Sequence, residues 1–424
     1  MTRRLKVFLG LAVAAGLAVL AVAAFWLVPA VRHALAVQRH LRESAVREPA
    51  ILAEWTERFG DPKTLEVRFP PSPDDSLAIE LAGRAKELGI DLHAPYPPEP
   101  GGPLHSPEDL LFGDVGKYVR AQIERASGDV EAPASPVCEY LDRHRPAIEE
   151  IAEFLTRSDP PRWEAAPAWL LGPVPNLLGH RRLQHVLTAD ALALSLAGDH
   201  EAAERRLLAA WNLNASLRDR TDFISQMIAV ANARMHAGVA RWIVLEDPAW
   251  EERLRDHDYR ESMLRALAVQ AAAGGCILAG ESVWARGSRA DYYRINADFL
   301  EKLEKATLRD SVRGSVIFEE RPEHALSAGG ILAPMGFPNA AYAVRKADRL
   351  ALETELTLKV LEAKRARQRK GRWPERLLGV ETSILGEPHW LYSVEGRRVR
   401  MRLSAPFEWK DWSGFGLPFE FSSD

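Results

Sequence analysis

The stretch VFLGLAVAAGLAVLAVAAFWLV, Val7 to Val28, runs 22 residues without a charge. A helix needs about 20 apolar residues to cross the hydrocarbon core of a bilayer. Arg3, Arg4 and Lys6 precede the run, and Phe25 and Trp26 stand near its far end, where aromatic rings favour the membrane interface. The positive-inside rule then predicts a cytoplasmic N-terminus and an exported body after Pro29. The expected setting is an inner (cytoplasmic) membrane crossed once, with the C-terminal body outside the cytoplasm. The rival is a cleaved signal peptide with AVA at 21–23 as its small-residue site. The apolar run continues through FWLV instead of turning polar, which favours an uncleaved anchor. Both readings export the body.

A chain of 424 residues suggests two or three domains. With 47% hydrophobic and 27% charged residues it has ample material for a core. A net charge of −4 gives no global field that would mark a nucleic-acid binder. Cys138 and Cys276 would meet an oxidising compartment, where they either pair or stay as buried thiols.

Helical periodicity dominates the body. The expected fold class is mainly α: an N-terminal transmembrane helix, a helix-hairpin body and a small C-terminal α+β element with a β-hairpin. The divisions fall at 1–30 (tip and anchor), 31–108 (juxtamembrane helices and a Pro-rich linker), 109–318 (helical domain), 319–345 (Gly/Pro-rich loop and helix start) and 346–424 (long helix, hairpin and tail). After the anchor a helix is predicted to break at Pro49 and stop at Gly60. TLEVRFP alternates like a short strand. DSLAIELAGRAKELGI reads as a helix capped by Asp75 or Ser76 and stopped at Gly89. Ile148, Ile151, Ala152 and Leu155 form one stripe. Over 223–242, Ile224, Met227, Ile228, Ala231, Met235, Val239 and Trp242 predict the buried face, with Ser225, Asn232 and His236 on the polar side. Residues 263–280 read as a central buried helix. A long helix ends at Gly371, and alternating runs around Glu395-Gly396 predict a hairpin.

LAGDHEAAERRLLAAWNLN, 196–214, resembles the second half of a tetratricopeptide repeat, with Gly198 at the turn, Ala203 and Ala210 at small positions and Leu207 between them. No second copy stands about 34 residues away, so the resemblance implies one helical hairpin and no repeat array. Gly371, Trp373, Pro374, Leu377, Tyr392 and Gly396 resemble the helix–turn–hairpin element of type II secretion pseudopilins. Together with PNAAYAVRKADRLAL, that segment is also similar to uncharacterised single-anchor bacterial envelope proteins. The likeness covers roughly 338–404 and implies a local fold and an envelope setting.

Lys364, Arg365, Arg367, Arg369, Lys370 and Arg372 crowd the end of the long helix, and Arg398, Arg400 and Arg402 alternate along the second hairpin strand. If the two elements pack together, they would make one cationic surface. A solvated helix end and polar strand face is the favoured reading. Binding of anionic lipid or an acidic protein partner is the alternative. Export removes nucleic acid as a partner. Weak catalytic candidates are Glu281, which follows the most apolar helix, and His236. No metal-ligand spacing, phosphate loop or nucleophile elbow occurs, so no cofactor or metal is expected. His180 and His185, five apart, do not share a helix face.

These readings imply a membrane-anchored scaffold or partner-binding protein outside the cytoplasm, leaning away from an enzyme. An envelope hydrolase with acidic residues converging in the helical domain is one alternative. An accessory component of a secretion or pilus system is the other. A reporter active only outside the cytoplasm, fused after Asp424, is expected to be active; an intact but inactive fusion would overturn the orientation.

Overall fold

The computed structural model describes residues 3–70, 72–93, 107–164, 175–313, 327–333, 337–405 and 417–423. Side chains of 3–28, 107–109, 312–313 and 337–338 lie outside the description. The helices are α1 (Arg3–Phe59), α2 (Leu65–Arg68), α3 (Ser76–Ala85), α4 (Pro107–Ile123), α5 (Ser135–Arg157), α6 (Leu177–Leu196), α7 (His200–Arg218), α8 (Phe223–Trp242) and α9 (Trp250–Arg255). They continue with α10 (Tyr259–Ile277), α11 (Val283–Lys305), α12 (Leu308–Arg313), α13 (Ala328–Leu332) and α14 (Phe337–Lys370). Three strands follow: β1 (Trp390–Glu395), β2 (Arg398–Leu403) and β3 (Glu420–Ser423). The chain is mainly helical with one small antiparallel sheet, ordered β1-β2-β3. Residues 7–28 fall within α1, in the part whose side chains are not described. Among the described residues no helix is long and apolar enough to cross a membrane. Most of the Pro-rich linker and of the Gly/Pro-rich loop also lies outside the described residues.

The chain divides into two compact units. The first comprises Met1–Pro62, Gly274–Phe299 and Phe318–Phe337. Here α1 runs unbroken through Pro49, against the predicted break. Proline has no N–H, so the Ala45 carbonyl one turn earlier loses its helical donor. Arg286 supplies a replacement, its Nη2 donating to that carbonyl at 3.2 Å. The same guanidinium, with Arg289, holds buried Glu48 through Nε–Oε contacts of 2.7 Å each. Asp291, also buried, accepts from Ser44 Oγ at 2.9 Å and meets His40 Nε2 at 2.8 Å.

The second unit comprises Lys63–Ala273, Leu300–Ile317 and Pro338–Asp424. The expected strand at 64–70 is helical instead: α2 buries Leu65 and leaves Val67 82% exposed. Alternation alone cannot make a strand where no partner strand lies beside it. Asp75 and Asp199 cap α3 and α7, accepting from Ala78 and Ala202 N–H as their positions predict. The α5 stripe of Ile148, Ile151, Ala152 and Leu155 is buried. Helix α6 packs against α4, α7 and α8. Helix α8 in turn packs against α4, α6 and α7 and is buried on both sides: Met235 and Val239 are buried as expected, Ile224 is 54% exposed, and the polar Ser225, Asn232 and His236 are buried as well. The polar residues are tolerated inside because they find partners. Asn232 donates to Asn214 at 3.2 Å, and His236 Nε2 bonds Gln184 Oε1 at 2.8 Å.

The long helix α14 ends as predicted, at Gly371 with φ 69°. Its buried Leu352, Leu356, Val360 and Ala363 pack on Trp373, Leu377 and the inner sheet residues Val399, Met401 and Leu403. The Tyr392 hydroxyl closes the element by donating to the Pro374 carbonyl at 2.6 Å. The hairpin pairs Glu395 with Arg398 across Gly396 (φ 63°) and Arg397, a two-residue turn. Strand β3 is added beside β2, and Ser422 N–H donates to the Ala126 carbonyl at 2.7 Å.

One buried carboxylate holds these parts together. Glu353 accepts from Arg234 Nε and Arg349 Nε at 2.7 Å each, and from the Leu417 N–H at 2.9 Å. Beside it, buried Arg241 donates to Thr357 Oγ1 (2.9 Å), the Glu353 carbonyl (2.7 Å) and the Pro418 carbonyl (2.8 Å). A Cβ on Gly238 would lie 2.7 Å from Ile123 Cβ and 2.8 Å from a Leu417 methyl, so a larger residue there would crowd α4 first and the tail second. Glu353→Leu leaves two arginines and a backbone N–H without this acceptor. It is expected to cost about 3–5 kcal/mol, read as a shift in the denaturation midpoint.

Candidate functional site

A groove of about 840 Å³ opens in the second unit. One wall is α14, which presents Ala347, Ala351, Thr354, Leu358 and Glu362 at helical spacings of three or four. Facing it are the residues after α9 and the start of α10, the end of α11 with α12, and the turn around 379–384. The floor includes Leu254, Leu308 and Leu350, while Ile384 at the edge is 52% exposed.

Polar braces set the walls. The Arg260 guanidinium bonds Asp348 at 2.6 Å and takes up the Leu303 and Ala306 carbonyls at 2.5 and 2.6 Å. Those carbonyls stand at the α11 C-terminus, where no helical donor remains. Asp348 also accepts from Ser311; burial raises its pKa, and Ser311 and Arg260 oppose the rise. Arg309 Nε donates to the Leu385 carbonyl at 2.8 Å. Glu355 accepts the Ile384 N–H at 3.2 Å and pairs with Lys359 at 3.6 Å. These contacts hold α10, α11, α12, α14 and the 379–385 turn in register without filling the space between them.

His257 is the one histidine on the lining. Burial, aided by Arg218, lowers its pKa to about 4, and its Nε2 meets the Ser262 hydroxyl at 3.1 Å. Ser262 is 4% exposed and does not line the groove, so the pair is not set to attack a bound molecule. Asp348 is engaged by Arg260 and Ser311, and Glu355 by Lys359 and a backbone N–H. Two of the groove's acids, Asp348 and Glu355, are thus tied into bonds that brace its walls.

The residues singled out from sequence lie elsewhere. Glu281 is exposed in the turn between α10 and α11. His236 is fully buried and bonded to Gln184, out of reach of any substrate. The nine cations do not form one face. Lys364 donates to the Arg241 and Ile243 carbonyls, the latter at 3.0 Å, and so closes the C-terminus of α8. Burial, with Arg367 nearby, lowers its pKa to about 7. Arg365 pairs with Glu251 at 2.8 Å, and Arg367 lies 4.5 Å over the Trp373 ring. Arg369, Lys370 and Arg372 are exposed.

The sheet packs its apolar face on α14, so Arg398, Arg400 and Arg402 project from the opposite face. There Arg398 donates to Ser422 Oγ at 2.8 Å and Arg400 pairs with Glu420 at 2.7 Å, beside a small pocket of about 230 Å³. Cys138 and Cys276 are both free thiols. The groove itself escaped sequence reading. Its only local signal is the small and polar series on α14, which reads as a plain solvent face. No family model, curated protein or solved structure matches the chain.

Four histidines are held neutral. Burial lowers His180, His185 and His236 to about 3, as it lowers His257 to about 4. An unfolded histidine titrates near 6.5, so between that value and these lowered ones the unfolded chain binds more protons. Their effect on stability is therefore nil above about pH 6.5 and grows unfavourable as pH falls. Neither ring nitrogen of His180 has a hydrogen-bond partner among the described residues, and its ring packs against Trp163 at 4.5 Å. His180→Phe is expected to raise stability at pH 5 and to remove about one proton from the pH slope, measured by denaturant unfolding at several pH values.

Proposed function

We propose that the protein is a membrane-anchored scaffold of a cell envelope whose exported body holds a segment of a partner protein in the groove along α14. The observation that carries this reading is the groove: about 840 Å³, open, apolar-floored and braced by ion pairs. Binding sites of this kind combine apolar lining with a few placed polar groups. The uncharged run Val7–Val28 behind Arg3, Arg4 and Lys6 supports the anchor and the export of the body. The resemblance over 338–404 supports an envelope setting, in which a secretion or pilus assembly is one place to seek the partner. A hydrolase is less well supported, because Asp348 and Glu355 in the groove walls are engaged in structural bonds and the lining histidine, His257, is paired with a buried serine.

The test is a photo-cross-linking residue at Ile384, on the groove, and at Leu378, which is 92% exposed and outside it. With the full chain in its native membrane, position 384 is expected to give a discrete adduct that position 378 does not. The same adducts at both positions, or none at 384, would sink the groove reading.

A further inference from the structure

The groove's charge and shape say what kind of segment would fit it, an inference that rests on the binding role proposed above. We propose that its occupant is an extended cationic segment of a partner protein, with lysine or arginine side chains interleaved with apolar ones.

Length comes first. From Ala347 to Glu362 the α14 wall advances fifteen residues, about 22 Å at 1.5 Å per residue. An extended peptide covers that span with about seven residues at 3.3 Å each. Such a strand alternates its side chains between two sides. One set can reach the leucines of the floor and Ile384 while the other meets the rim.

Charge comes second. Six carboxylates line the groove, those of Glu251, Asp258, Glu304, Asp348, Glu355 and Glu362, against three cations, Arg255, Arg260 and Lys359. Two of those cations are committed inside the walls, Arg260 to Asp348 and Lys359 to Glu355. Glu251 in turn is matched by Arg365. At the rim, exposed Asp258 and Glu362 outnumber exposed Arg255. His257, neutral at physiological pH, adds no positive charge. An anionic ligand would bring its charge against this rim at a cost, whereas cations at alternate positions complement it.

The apolar floor narrows the choice further. Among the described residues no group of three His, Cys, Asp or Glu side chains could hold a metal ion. A small cation would also leave Leu254, Leu308 and Ile384 uncovered. Only an occupant with both characters uses the whole surface.

The test uses the purified full chain and two fluorescein-labelled heptapeptides, Lys-Leu-Lys-Leu-Lys-Leu-Lys and Glu-Leu-Glu-Leu-Glu-Leu-Glu, followed by fluorescence anisotropy. The cationic peptide is expected to bind, and the acidic one to bind at least tenfold more weakly. Glu362→Lys, at an exposed position, is expected to weaken the cationic peptide about fivefold while leaving the melting temperature within a degree or two. Ile384→Asp, which puts a charge where the apolar side chains dock, is expected to weaken it too. Equal binding of both peptides, binding of neither, or an affinity indifferent to the charge reversal would each overturn the inference. The cross-link at Ile384 reports occupancy whatever the charge of the ligand. An adduct whose captured segment is acidic or uncharged therefore overturns this inference alone, and absence of an adduct overturns the groove reading.

Discussion

The second unit is organised by a carboxylate that water does not reach. Taking Glu353 out of solvent is expensive, and a single ion pair would not offset that cost. Two arginines and a backbone N–H together satisfy both of its oxygens, and they come from α8, from α14 itself and from the stretch just before β3. Each donor fixes a different part of the chain. The tail docks because Leu417 and Pro418 meet Glu353 and Arg241; β3 then follows on beside β2 and beside Ala126. Because the back of α14 is held by Glu353, Leu356 and Val360, its front can stay open as a groove wall.

The first unit uses the same chemistry for another purpose. Glu48 is buried between Arg286 and Arg289, and Arg286 also takes the carbonyl that Pro49 leaves without a donor. Arginine suits both tasks, since its planar fork offers several donors at fixed angles. In each unit a buried acid recruits arginine, and the spare donors of that arginine repair or pin backbone nearby.

Features with local causes were legible in the sequence. Gly371 and Pro374 end α14, Gly396 turns the hairpin, and Asp75 and Asp199 cap helices within three residues of themselves. Features decided by distant partners were not. The four residues of β3 become a strand only because residues 399–402 pair with them. Ser225, Asn232 and His236 look like a solvent face until α6 and α7 surround them. Lys364 reads as one more surface cation, yet the carbonyls at the end of α8 draw its ammonium inward. Pro49 reads as a break because nothing near it in sequence announces Arg286, more than two hundred residues away. The groove has the same origin: four separate stretches of the chain make its walls, and no one of them carries a recognisable pattern.

The bond between Arg286 and the Ala45 carbonyl has a mechanical side. It lets α1 continue as one helix of 57 residues, about 85 Å at 1.5 Å per residue. A helix broken at Pro49 would act as a universal joint, letting the two halves tilt and spin independently. An unbroken one behaves as a drive shaft. Rotation or tilt imposed on its N-terminal half reaches the far end of the rod, where Trp55 packs on Tyr293 in the first unit. Within the first unit, then, the residues before and after Pro49 belong to one stiff rod.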